Sequence, residues 1–153
     1  MVQQYFKDVV EIDGVDAVVL FDNQNNIIGS SATTKYNPTV FSEMGESFLH
    51  VFGMLEYLKY DLNEIVVPFD KGLLYTRTHP RFYVIVLAKL SVEVPLIRLA
   101  MNVCLKEFEE DRKVKKIFKK LSDKKFYQIK SITLDEMEKI MLEKMLEETD
   151  GTQ

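Results

Sequence analysis

Residues 14 to 31 read Gly-Val-Asp-Ala-Val-Val-Leu-Phe-Asp-Asn-Gln-Asn-Asn-Ile-Ile-Gly-Ser-Ser, and their pattern decides the fold. Residues 15 to 22 read as a strand, with Val15, Ala17, Val19 and Phe21 on one face. Val18 and Leu20 make the opposite face apolar as well. A strand that is apolar on both sides belongs in the middle of a sheet covered above and below. Asn25 and Asn26 suit the turn that follows, because a short amide side chain tolerates left-handed backbone angles. Ile-Ile-Gly-Ser-Ser then returns as a second strand.

Upstream, Tyr5, Phe6, Val9 and Val10 share one face of a short amphipathic helix that ends at Asp13-Gly14. Downstream, a long helix starts near Pro38 or Thr39, with Asn37 as N-cap and Pro38 in the first turn, and runs to about Tyr60. Its apolar residues, from Val40 and Phe41 to Leu55 and Leu58, fill an arc of roughly 160°, wider than the ~100° needed for one packing surface. Leu49 lies outside even that arc. Gly45 and Gly53 stand where a helix favours Ala, so a second partner, another helix approaching over the glycines, is expected.

Three more strands follow. Residues 63 to 69 place Ile65, Val67 and Phe69 on one face, and Asp70-Lys71-Gly72 turns tightly into Leu-Leu-Tyr-Thr-Arg-Thr. A turn over residues 78 to 81 leads into Phe-Tyr-Val-Ile-Val-Leu-Ala-Lys-Leu, again apolar on both faces and so a neighbour of residues 15 to 21. Pro68 cannot donate a ladder hydrogen bond, which sends its strand to an edge. The expected architecture is an α+β fold, an α/β sandwich. It has a five-stranded antiparallel sheet with helices on both faces, in the order helix, hairpin, long helix, three-strand meander, helix. Pro95 opens that last helix, whose stripe is Ile97, Met101, Cys104 and Phe108. The stripe breaks at Asp111 and restarts as Val114, Ile117, Phe118 and Leu121. Residues 124 to 130 read as extended. Thr133 and Glu136 have capping-box spacing before a helix carrying Leu134, Met137, Ile140, Met141 and Met145 on one side.

The chain of 153 residues is 46% hydrophobic and 29% charged, the balance of one ordinary soluble domain. Its single cysteine excludes an intrachain disulfide and, with no signal peptide and no apolar run near ~18 residues, makes the cytoplasm the expected compartment. The net charge of −4 is unevenly spread. Residues 1–110 hold 9 Lys/Arg against 15 Asp/Glu, residues 111–130 hold 9 against 2, and residues 131–153 hold 2 against 7. We therefore divide the chain into a domain over residues 1–110 and a charged helical extension over residues 111–153. Such asymmetry points either to partner contacts or to a tail folding back on its own body.

Enzyme signatures are missing. None of the six glycines supports a phosphate-cradling loop. His50 and His79 have no second His or Cys at metal-ligand spacing and read as surface histidines, so neither metal nor cofactor is expected. Cys104, on an apolar stripe, reads as a buried inert thiol. Arg77 and Arg81 flank a turn and read as solvated charges rather than phosphate ligands. Lys113, Lys115, Lys116, Lys119 and Lys120 surround the stripe from Val114 to Leu121. That basic amphipathic helix suits anionic lipid, an acidic protein face, or its own acidic body and tail. Nucleic acid is not expected, since the body is acidic and few aromatics interleave. Met137, Met141 and Met145 form an adaptable stripe suited to an interface or to intramolecular packing.

The order of elements resembles the Roadblock / dynein light chain family, a profilin-like and longin-like fold, over about residues 3 to 110. The carrying segments are Gly14 to Asp22 with Ile27-Ile28-Gly29-Ser30, then Glu64-Ile65-Val66-Val67, Gly72-Leu73-Leu74-Tyr75 and the run from Tyr83 to Leu87. Asn25-Asn26 stands where members often carry Asp-Gly or Asn-Gly. The resemblance implies a noncatalytic homodimer, of the bacterial or archaeal type that regulates small Ras-like GTPases. It further implies pairing through residues 40 to 58 and 63 to 69, and we place Phe41, Leu49, Gly53, Ile65 and Val67 at that interface. Glu43, Glu46, His50 and Tyr57 on the long helix, with Lys115, Lys116 and Lys119, are the expected partner-binding residues. The alternative is a dimeric adaptor that tethers a motor or membrane complex through the basic extension, with an anionic membrane surface as further partner.

Overall fold

In the computed structural model, strand β1 (Val15–Asp22) has a neighbour on each side. Val19 pairs with Ser30 of β2 (Ile27–Ala32) on one side and with Ile85 of β5 (Phe82–Ala88) on the other. The structure describes residues 1–33, 38–60, 63–119 and 136–151, with residues 38 and 148–151 described by their backbone alone. Beyond β5 lie β4 (Gly72–His79) and then β3 (Glu64–Phe69), giving an antiparallel sheet of order β2-β1-β5-β4-β3. The two strands that read as apolar on both faces are therefore adjacent and interior, and the strand with Pro68 is an edge.

The β1–β2 turn is organised by Asp22, whose Oδ1 accepts from the backbone N–H of Gln24 at 2.8 Å and of Asn26 at 2.9 Å. Asn25 takes the left-handed conformation, at φ 66°, as its side chain allows. Phe69 pairs with Gly72 across the two-residue turn Asp70-Lys71, and His79 pairs with Phe82 across Pro80-Arg81.

Each face of the sheet carries its own core. On one, Val18, Leu20, Tyr75, Val84 and Val86 pack against α4 (Val94–Glu110) through Ile97, Met101, Cys104 and Phe108. The expected N-terminal helix is two single-turn helices, α1 (Val2–Tyr5) and α2 (Lys7–Val10). The backbone leaves helical angles at Phe6 (φ −111°, ψ 24°), whose buried ring packs 5.2 Å from that of Phe108. Asp111 caps the short helix α5 (Arg112–Phe118), accepting from the N–H groups of Lys113 at 2.7 Å and Val114 at 3.2 Å. Val114 and Phe118 of α5 belong to this same core.

The other face is covered by α3 (Pro38–Tyr57), which sets Phe41, Phe48, Leu49 and Phe52 on Ala17, Val19, Phe21, Tyr83 and Ile85. Lys59 (φ 66°) turns the chain out of this helix. Gly45 meets its own sheet rather than the second helix expected from sequence. A Cβ there would collide with the Tyr83 hydroxyl and lie 2.8 Å from Asn25 Oδ1. The last helix is α6 (Glu136–Gly151). Expectations at Asn37, Leu121, residues 124 to 130, Thr133 and Leu134 lie outside the described residues.

Candidate functional site

Helix α3 presents three sides, which explains its over-wide apolar arc. One is the core stripe just described. A second is acidic and polar and includes Glu43, Glu46, His50 and Tyr57. A third carries Val40, Val51 and Leu55, at spacings that keep them on one flank, with Met44 packed against the core at its border. Asn25 Nδ2 donates to the Ser42 carbonyl at 3.4 Å, so the β1–β2 hairpin lies on the flank away from this third stripe.

Helix α6 lies across the polar side. The Tyr57 hydroxyl donates to Glu143 at 2.5 Å, and His50 Nε2 is 2.9 Å from a Glu138 carboxylate oxygen. Leu142 of the same helix is buried, at 5% exposure. Two of the four expected partner-facing residues on α3 are thus engaged by the chain's own acidic helix, while Glu43 and Glu46 stay exposed. The apolar stripe of α6 faces away from this contact: Met137, Ile140, Met141 and Met145 are each more than half exposed.

The residues expected at a dimer interface divide sharply. Phe41 and Leu49 are buried in the core between α3 and its own sheet, and Gly53 is also buried. Phe41 and Leu49 therefore pack within the chain, against the sheet. Ile65 is half-buried, and Val67 is 40% exposed on β3, next to Phe69 at 42%. Val40 and Val51 are similarly exposed on the third stripe of α3. The outer edge of β3 has no ladder partner among the described residues.

Lys115, Lys116 and Lys119 are exposed along α5, but the apolar side of that helix is not. Val114 and Phe118 are turned into the core beside Phe82, so lying on lipid would leave only lysines and the exposed Ile117 for the membrane. No described helix is long and apolar enough to cross a membrane.

Sequence reasoning missed a polar cluster behind the β3 edge. Glu64 accepts from Arg98 Nε at 3.0 Å and Nη2 at 2.6 Å, and from the Tyr75 hydroxyl at 2.5 Å. Arg77, read as a solvated turn charge, donates to Tyr75 Oη at 3.2 Å and lies 3.8 Å from Glu64. The Arg98 guanidinium holds the Glu64 carboxyl below the usual carboxylate range, helped by Tyr75 and Arg77, while burial opposes it. Burial and the Glu64 charge push the Tyr75 phenol up to about 12. These groups come from three elements, and only the pairing of Glu64 with Arg77 across β3 and β4 follows from the hairpin register. Arg81 donates to the Phe118 carbonyl at 3.4 Å. His79 stacks on Phe82 at 4.4 Å and is only one-third exposed, so it is less of a surface residue than its sequence context implies. Cys104 is buried, and burial pushes its thiol up. No group of three or more potential metal ligands occurs among the described residues.

No family model matches the chain, and no curated protein is similar enough to match it. Solved structures do match. Myxococcus xanthus MglB aligns at 20% identity and a TM-score of 0.59, over 77% of this chain and 91% of that one. A Roadblock/LC7 domain from Streptomyces avermitilis aligns at 17% identity and 0.58, over 70% and 93%. The gliding protein MglB from Thermus thermophilus aligns at 10% identity and 0.59, over 76% and 87%. At such identities the likeness shows the fold, which is that of the Roadblock/LC7 domain.

Proposed function

We propose that this chain is a noncatalytic homodimer that binds a small Ras-like GTPase and changes its nucleotide cycle by ordering its switch loops. The Roadblock/LC7 fold supports the GTPase reading, because the family resemblance implies that partner. A partner domain accelerates hydrolysis without a catalytic group of its own when it stabilises the competent switch conformation. The observation that carries the dimer is the apolar surface left uncovered beside the sheet edge: Val40 and Val51 on α3, with Val67 and Phe69 on β3, each at least 40% exposed. Side chains of this kind are ordinary singly, but together with an unpaired strand edge they suit a second copy.

Glu43, Glu46, His50 and Tyr57 remain the proposed GTPase-facing group, with α6 lying over its His50 and Tyr57 end. The adaptor reading has one observation in its favour, the exposed methionine stripe of α6, whereas the burial of Val114 and Phe118 weighs against attachment by inserting α5 into lipid. Light scattering at micromolar concentration tests the dimer, and a strictly monomeric mass defeats it. GTP hydrolysis and nucleotide release, measured with each small GTPase of the source organism, test the regulation. Rates that never change defeat it, and a Glu43→Lys/Glu46→Lys chain that keeps its mass but loses the effect supports the assigned surface.

A further inference from the structure

The polar side of α3 is a single row. Glu43, Glu46, His50 and Tyr57 fall within about 60° of one another around the helix, along about 21 Å of its axis. The first half of the row is open, with Glu43 and Glu46 exposed. Helix α6 occupies the second half. Its Glu143 accepts from the Tyr57 hydroxyl at 2.5 Å, and its Glu138 lies 2.9 Å from His50 Nε2. A protein surface that reads the row from end to end therefore meets α6 before it meets His50 and Tyr57.

The helix is held there lightly. Ion pairs and hydrogen bonds between exposed side chains are weak and are screened by salt. Beyond them α6 buries one large apolar side chain among the described residues, Leu142, which belongs to neither core of the sheet. Helix α4, of similar length, buries Ile97, Met101, Cys104, Leu105 and Phe108. Met137, Ile140 and Met141 of α6 are instead more than half exposed. An element with few buried apolar contacts and solvent-exposed ties opens more readily than the core beneath it. Both cores are built without α6, so its departure uncovers the row and leaves the sheet and its other helices in place.

We propose that α6 is an autoinhibitory strap, which competes with the GTPase for the His50 and Tyr57 end of α3 and leaves it when the partner docks along the whole row. This rests on the assignment of that row to the GTPase. When a docking surface is open only part of the time, apparent affinity falls by the open fraction, so a strap closed about nine-tenths of the time weakens binding about tenfold.

The small GTPases of the source organism, loaded with GDP or with a nonhydrolysable GTP analogue, are titrated with four versions of the full chain. These are the native chain, Glu138→Gln/Glu143→Gln, Leu142→Ala, and Glu136→Gln/Glu147→Gln, which removes the same charge from exposed carboxylates elsewhere on α6. Binding about threefold tighter in the first variant, about tenfold tighter in Leu142→Ala and unchanged in the third supports the strap. Amide exchange over residues 136–147 of the native chain that speeds up when the GTPase binds supports it as well. Weaker binding in the first two variants, or slower exchange over residues 136–147 in the complex, overturns it and makes α6 part of the docking surface. A GTPase that binds all four alike sinks the strap alone, whereas no binding to any of them sinks the assignment of the row and the strap with it.

Discussion

The Tyr83 hydroxyl, on the central strand β5, donates a hydrogen bond to Asn25 Oδ1 in a turn 58 residues earlier, and Gly45 of α3 lies directly over the pair. Three elements distant in sequence, a hairpin turn, an interior strand and the long helix, meet at one point where only a glycine fits. Gly45→Ala is therefore expected to destabilise the chain although Ala is the better helix former. The added methyl pushes on Tyr83, which is fully buried and stacked on Phe21 at 4.6 Å, so neither ring can retreat. Overpacking of this kind costs about 1–3 kcal/mol, read as a lower midpoint in urea unfolding at unchanged slope.

Much of this is legible in the sequence, and the rest is hidden for identifiable reasons. The both-sided strands announce their places in the sheet because period-2 patterning reports burial on each face directly. The width of the apolar arc on α3 leads to the expectation of more than one neighbour, yet periodicity cannot say which neighbour lies on which side. Phe41 and Leu49 thus read as facing a second copy when they face the sheet. Gly45 reads as an opening for another helix for the same reason. The cluster around Glu64 is hidden in the sequence because Arg98 is brought to it only by the packing of α4 on the sheet.

Thr76 sits on interior strand β4, wholly buried, with no hydrogen-bond partner for its hydroxyl among the described residues. A buried polar group without a partner costs about 1–3 kcal/mol, and valine has the same shape without the hydroxyl. Thr76→Val is expected to raise stability by about 1 kcal/mol, or a Tm shift of about 2–4 °C at this chain length. A lower Tm would mean that the hydroxyl is satisfied in solution.

Glu64 links stability to pH. Its carboxyl titrates lower in the folded chain than in the unfolded one, chiefly because Arg98 bonds to it. Its contribution is therefore complete above the ordinary carboxylate pKa of about 4.3 and is lost as pH falls through the lower folded value. Glu64→Gln is expected to cost about 1.5–3 kcal/mol at pH 7, the scale of hydrogen bonds to a charged group. The cost shrinks toward acid, so unfolding curves of the two proteins converge at low pH. A constant gap down to the lowest pH would assign the loss to packing.

Helix α6 is held by polar pairs to α3 and by the burial of Leu142, and the two differ in strength. Its exposed polar pairs, Glu138 with His50 and Glu143 with Tyr57, contribute about 0.2–1 kcal/mol each, whereas a buried leucine truncated to alanine costs about 2–5 kcal/mol. Hydrogen exchange over residues 136–147 is therefore expected to speed up modestly in Glu138→Gln/Glu143→Gln and far more in Leu142→Ala. Raised salt should shrink only the first effect. If the two variants exchange alike, the electrostatic pairs and not Leu142 hold the helix.

The dimer prediction turns on choosing residues whose loss leaves the protomer intact. Leu49→Ala is uninformative, because truncating this fully buried leucine of α3 destabilises the protomer by about 2–5 kcal/mol whether or not a second copy exists. Val51 and Val67, by contrast, are 43% and 40% exposed, so charge placed there reaches water in an isolated protomer and is buried only if another chain covers it. Val51→Glu/Val67→Glu is expected to keep the circular dichroism spectrum and thermal midpoint of a dilute sample. It is also expected to halve the mass seen by light scattering at micromolar concentration, since desolvating an unpaired carboxylate costs several kcal/mol at each site. A dimer that survives both substitutions would place its interface elsewhere, and the exposed apolar stripe of α6 is the next surface to test.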